Sequence, residues 1–234
     1  MNIRKFVFCA AVGSTALFFS SSQAEELIYS GFMTDYSQLE KVTDGSADYR
    51  YIGPGGEDKM AQYNAVMIDQ PEIFIANDSP YRGAKPKHLE AFAESLRAGI
   101  TSALSEDMYV VSQPGENVLY ISLAATNLKL TKKKRGILGY TPAGFVAGTI
   151  AGAATSDLAK KANLQGLVFE MEGFDSVSGE RIFAIIDSIG SDARSPDTWD
   201  ELEAFMAKYG RIMQCRFDNA RLSVGQKANC LAQE

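Results

Sequence analysis

Asp175 and Glu180 stand on either side of Ser176-Val177-Ser178-Gly179. Two carboxylates facing each other across a hairpin have the type and spacing that divides general-acid from general-base work. The same residues suit a plain turn, because Asp and Ser side chains bond the backbone of a tight loop, and the turn is the stronger reading. His88 is the chain's single histidine. With Lys85 and Lys87 beside it and no partner identifiable, it reads as a surface residue rather than an acid or base. Cys9, Cys215 and Cys230 are the three cysteines. Nucleophile elbow, phosphate loop, paired-histidine zinc helix and EF-hand patterns are all missing, so the residues assign no catalytic group, no metal set and no cofactor.

Binding chemistry has two candidates. Tyr29, Phe32, Tyr36, Tyr49, Tyr51 and Tyr63 crowd the N-terminal third, interleaved with Asp35, Asp48 and Arg50. Rings beside charges line glycan and peptide grooves, which makes Tyr36, Tyr49, Arg50 and Tyr51 the binding candidates there. The competing reading, and the preferred one, is an irregular segment packing its rings on a sheet with Arg50 paired to an acid. The second candidate follows the basic run Lys132-Lys133-Lys134-Arg135. Thr141-Pro142 is a good helix start, and Gly144, Gly148 and Gly152 recur every fourth residue, leaving one face of that helix nearly bare backbone. Each glycine costs a helix roughly 1 kcal/mol relative to alanine, and close approach by another surface is a reason to bear that cost. Three surfaces stand open: the protein's own sheet, which is preferred, a second copy or partner helix, and a membrane interface reached through the basic cluster.

The elements that must position these residues come from an ordinary globular composition. Of 234 residues, 46% are hydrophobic, 22% charged and 10% aromatic, which excludes disorder, collagen and coiled coil. Lys plus Arg number 23 against 29 Asp plus Glu, and a net charge of −6 excludes nucleic acid as the expected partner. Asn2 to Lys5, the apolar run Phe6 to Phe19 and Ser22-Gln23-Ala24 before Glu25 form a leader, with cleavage expected after Ala24 and a periplasmic destination. An oxidising compartment favours pairing of Cys215 with Cys230, the alternative being a buried thiol and a loose one. Residues 25–217 are then one domain and 218–234 a C-terminal tail.

Within that domain the sequence predicts strand-like structure over Tyr63 to Ala76, interrupted at Gln70-Pro71. A helix from Pro86 carries Leu89, Phe92, Ala93, Leu96, Ile100 and Leu104 on one face. A short strand over Tyr109 to Ser112 precedes a turn and a long strand from Val118 to Leu130. Gly166 to Asp175 and Glu180 to Ile189 form a hairpin. A second amphipathic helix after Ser195-Pro196 aligns Trp199, Leu202, Phe205, Met206, Tyr209, Ile212 and Met213, tolerating Gly210. The fold class is α+β: a single two-layer domain, a mainly antiparallel sheet with amphipathic helices packed on it.

Ser30-Gly31-Phe32-Met33-Thr34-Asp35-Tyr36-Ser37-Gln38-Leu39, followed by Asp48-Tyr49-Arg50-Tyr51, resembles the opening signature of an uncharacterised bacterial envelope family, domain of unknown function 3313. Asp175-Ser176-Val177-Ser178-Gly179-Glu180 resembles its later strand-turn-strand element. The resemblance spans roughly residues 29 to 217 and implies an exported Gram-negative envelope protein, with no catalytic residues to carry over. Many such members look like lipoproteins with a cysteine at the cleavage site. Ala24-Glu25 stand there in this chain, which favours a soluble periplasmic form. Two function classes follow: a non-enzymatic module for an envelope protein, peptidoglycan or membrane surface, and a small hydrolase or transferase using Asp175 and Glu180. The missing catalytic motifs favour the module.

Overall fold

The structure is a computed structural model that describes residues 29–44, 46–105, 108–132, 158, 161–189 and 199–231. The leader and the stretch holding Gly144, Gly148 and Gly152 lie outside the described residues. Among those described, the strands are β1 (Glu40–Lys41), β2 (Tyr49–Ile52), β3 (Ala65–Ile68), β4 (Glu72–Ile75), β5 (Tyr109–Val110), β6 (Val118–Lys132), β7 (Ala162–Asp175) and β8 (Arg181–Ile189). The helices are α1 (Pro86–Leu104) and α2 (Trp199–Ala220). All eight strands join one sheet in the order β1-β2-β8-β7-β6-β3-β5, with β4 also on β6.

The hairpin half of this sheet is antiparallel: β1 with β2, β2 with β8, β8 with β7 and β7 with β6. Parallel pairing enters where β3 meets β5 and β6, and where β4 meets β6. The cause is α1. It connects β4 to β5 and β6 as a crossover, and strands joined through a helix run the same way. The run from Tyr63 to Ala76 divides at Asp69–Pro71 into two strands that both add to β6.

β6 carries the centre of the core through one irregularity. Leu119, Ile121, Leu123 and Ala125 alternate onto the helix side, and Leu128 and Leu130 continue the same cluster on the opposite parity. Asn127, at φ 49°, sits in the register shift between Thr126 and Lys129. This bulge turns the strand by one residue, so Leu128 and Leu130 stay on the face of Leu119, Ile121, Leu123 and Ala125, while Ala124 is buried on the other. Phe92, Leu96, Ile100 and Leu104 of α1 and Leu202, Met206, Tyr209 and Met213 of α2 complete that cluster.

The two helices cross closely at Gly210, where an added Cβ would lie 2.3 Å from the Ala103 Cβ. Cys215 near the end of α2 is bridged to Cys230, with the Cα atoms 5.5 Å apart. A loop of that length gives the folded state about 3 kcal/mol through restriction of the unfolded chain. Asn219 fastens the same segment, accepting from the Ala228 N–H at 2.8 Å and donating to its carbonyl at 2.7 Å.

The opposite face of the sheet is covered by the segment from Phe32 to Leu39. Val168, Ala184 and Ile186 form a smaller cluster with Met33, against which Phe32, Tyr36, Leu39, Tyr49 and Tyr51 pack.

Candidate functional site

The period-two pleat decides which chemistry meets under that N-terminal cover. Along β7, Leu167, Phe169 and Met171 join the helix-side core, so Val168, Glu170 and Glu172 point the other way. Register places Glu170 beside Ala124 and Ile186, and Glu172 beside Ser122 and Ala184. Glu170 is 0% exposed and Glu172 3%, the two most enclosed acids of the described chain.

Both carboxylates are engaged. Tyr36 Oη donates to Glu170 Oε2 at 2.7 Å, and Thr126 Oγ1 donates to Glu170 Oε1 at 2.6 Å. Arg181 Nε lies 3.0 Å from Glu172 Oε1, an ion pair whose N–H is out of line for a hydrogen bond. The guanidinium also donates to the Asp35 carbonyl at 2.6 Å and sits 5.0 Å over the Tyr51 ring. Burial pushes the Glu172 carboxyl up from its ordinary range, while Arg181 and the Thr34 backbone pull it down and neighbouring Glu170 adds to the rise. Burial likewise raises the Tyr36 phenol, opposed by Ser30. With their oxygens enclosed, these acids clamp residues 30–36 onto the sheet instead of reaching a solute.

The binding candidates divide by the same pleat. Tyr36, Tyr49 and Tyr51 meet on the N-terminal face. Arg50 points to the helix side, 3.5 Å from Asp44 Oδ2 and 3.1 Å from Ser46 Oγ. Tyr63 is fully buried in the helix-side core, and Tyr29 is 67% exposed with an edge contact to Tyr36. Sequence reasoning passed over Glu170, Glu172 and Arg181. The available signal was two acids at alternate positions inside the otherwise apolar run Leu167 to Phe174.

At the hairpin mouth the turn chemistry takes Asp175. Its Oδ1 accepts from the Val177 N–H at 3.1 Å and from the Ser178 N–H and hydroxyl at 2.8 and 2.9 Å, and Oδ2 accepts from Tyr63 at 3.1 Å. The Ser178 amide bond chiefly holds this carboxyl below its usual range. Glu180 pairs with Lys59 at 2.5 Å, and Gly179 supplies the positive φ of 73° that the turn requires.

His88 corrects the surface expectation: it is 3% exposed. Its Nδ1 lies 3.4 Å from the Lys85 amide at the start of α1 and its Nε2 3.4 Å from Lys161 Nζ, so the ring is seated between the helix N-terminus and β7. Among the described residues no group of three His, Cys, Asp or Glu side chains is placed to hold a metal ion. A recess with about 20 Å³ of free space, room for about one water, lies between sheet and α2, lined by Ile52, Met60, Phe183, Ile185, Met213 and Phe217 with Arg216 at its side.

The N-terminal signature that wraps the clamp and the hairpin that carries Arg181 are both included in a family match over residues 28–213, to "Protein of unknown function (DUF3313)". The chain belongs to the DUF3313 family. No curated protein sequence matches it. Among solved structures the DUF3313 chain is similar to two crystal forms of the PelC dodecamer from Paraburkholderia phytofirmans, a single-site variant in space group C2 and a second form in P6. Each is 12% identical with a TM-score of 0.36, covering 68% of this chain and 90% and 92% of the PelC chains.

Proposed function

We propose that this DUF3313 protein is an exported, periplasmic cell-envelope protein acting as a non-enzymatic binding or accessory module for an envelope partner, a protein or peptidoglycan. The observation that carries the reading is the engagement of the hairpin acids: Asp175 holds its own turn and Glu180 holds Lys59. A general acid needs a carboxyl held above its ordinary range, and Asp175 is held below it by the bonds of its own turn. The Cys215–Cys230 bridge fits an oxidising compartment. Crosslinking in periplasm followed by capture of the chain tests the reading. One stoichiometric envelope partner supports it, whereas turnover of purified peptidoglycan that is lost in Glu180→Gln overturns it. For the location, a chain beginning at Glu25 in the osmotic-shock fraction is the expected result, and recovery only in detergent with a lipidated cysteine overturns it.

A further inference from the structure

The outer strands of the sheet differ in how they meet other chains. β1, at one edge, consists of two exposed charged residues, Glu40 and Lys41, the short and charged ending that discourages pairing. On the other side β5 shields β3, but β4 pairs with β6 and, among the described residues, with no second strand. Its residues Glu72–Ile75 include neither lysine nor proline. Phe74 is 36% exposed, and Ile73 and Ile75 are half-buried against the helix-side core. A strand open along its backbone and apolar on both faces is a place where a further strand adds.

The charges at this edge decide what such a strand carries. Ile73 and Ile75 face the helix-side core, so Glu72 and Phe74 project from the other face. The Asp69 N–H donates to the Ile121 carbonyl at 3.0 Å, continuing the β3 register to Ser122, and Glu72 is in register with Ala124. Asp69 and Glu72 therefore stand two β6 residues apart, about 7 Å, the repeat of alternate side chains along an extended peptide. Tyr120, on the same face, donates to Asp69 Oδ2 at 2.5 Å. Burial, then the Asp69 bond and charge, with Glu72 adding and Ser122 opposing, push its phenol up to about 12. Both carboxylates are exposed. Lys129, farther along β6, is already paired with Asp78 at 2.9 Å.

We propose that β4 docks an extended basic segment of a partner protein. The segment adds to the sheet beside Glu72–Ile75, sets alternate lysine or arginine side chains against Asp69 and Glu72, and lays an apolar residue beside Phe74. This names the partner class of the binding module proposed above and rests on that reading. The backbone edge selects polypeptide over glycan or lipid, because only a strand matches its row of amide donors and acceptors. The carboxylates select a basic strand and disfavour an acidic one. A second copy paired through its own β4 would bring the carboxylates of both copies to one seam without a cation between them.

Titration with a fluorescent peptide of about eight residues, lysine and valine in alternation, tests the inference. The expected result is saturable binding below about 1 mM that weakens in raised salt and slows amide exchange within β4. The same peptide with glutamate for lysine, and one N-methylated along its pairing edge, should each bind at least about tenfold more weakly. Glu72→Lys should also weaken binding at least about tenfold, while Glu40→Lys, the same charge change on β1, should leave it intact. Should Glu72→Lys lower the melting temperature, Glu72→Gln carries the same comparison. No binding at about 1 mM, equal binding of the lysine and glutamate peptides, indifference to N-methylation, undiminished binding by the Glu72 variants, or a dimer of this chain that excludes the peptide overturns the inference. Capture of an envelope partner alongside such a failure leaves the module standing and removes β4 as its site. Peptide binding at β4 with no partner captured from periplasm counts against the module alone.

Discussion

Glu170 shows how much one hydroxyl can hold. Its carboxylate is wholly buried and Tyr36 supplies one of its two donors, so Tyr36→Phe leaves a buried oxygen unsatisfied. The expected cost is about 2 kcal/mol in urea unfolding; a loss below about 0.5 kcal/mol, within the range of ordinary surface changes, would show that this hydroxyl does not anchor the segment. Asp187 makes a pH-dependent counterpart. Burial raises its pKa to about 6, opposed by the Tyr209 hydroxyl at 3.0 Å and assisted by Asp48. Between the ordinary 3.8 and about 6 the folded protein keeps a proton that the unfolded chain releases, so this group stabilises fully below about pH 4 and the contribution is lost as pH rises through about 6. Asp187→Asn should therefore melt above the natural protein near pH 7, with the gap closing toward pH 4. Parallel melting profiles for the two proteins would defeat that assignment.

At the scale of elements, the helix stripes were legible because their spacing reports burial directly. Phe92, Leu96 and Ile100, and Met206, Tyr209 and Met213, all lie in the core. Gly210 is different: its place in the stripe gives no hint of a partner, and only the crossing with Ala103 explains it. Gly210→Ala gains about 1 kcal/mol of helix propensity and loses about 2 kcal/mol to overpacking. The net expectation is destabilisation of about 1 kcal/mol in denaturant, restored when Ala103→Gly is added. Stabilisation by Gly210→Ala alone would mean that the helices have room to spare. The Asn127 bulge was hidden for a related reason. Apolar residues on both parities of β6 look like a strand buried on both faces, and the register shift that reconciles them depends on pairing with β7.

For the whole molecule, hairpin and helix signals report neighbours along the chain, whereas the clamp joins residues 134 positions apart, Tyr36 and Glu170. This separation explains why the fold class was legible and the buried acids were not. It also divides the domain into parts of unequal stability. The centres of β6, β7 and β8 are covered by two helices on one face and by the N-terminal segment on the other. That segment holds the sheet by the two-residue β1 pairing, the Tyr36 bond to Glu170, the Thr34 backbone bond to Glu172, the Arg181 contact with the Asp35 carbonyl, and a small apolar cluster. Few contacts mean a lower cost of local opening. Native-state hydrogen exchange should place the amides of Met33 and Leu39, bonded to the Tyr36 hydroxyl and carbonyl, in one group that opens before Phe169 to Met171. In Tyr36→Phe that group should exchange faster relative to global unfolding. Exchange of Met33 and Leu39 at the same free energy as Phe169 would mean that cover and sheet open together, as one cooperative unit.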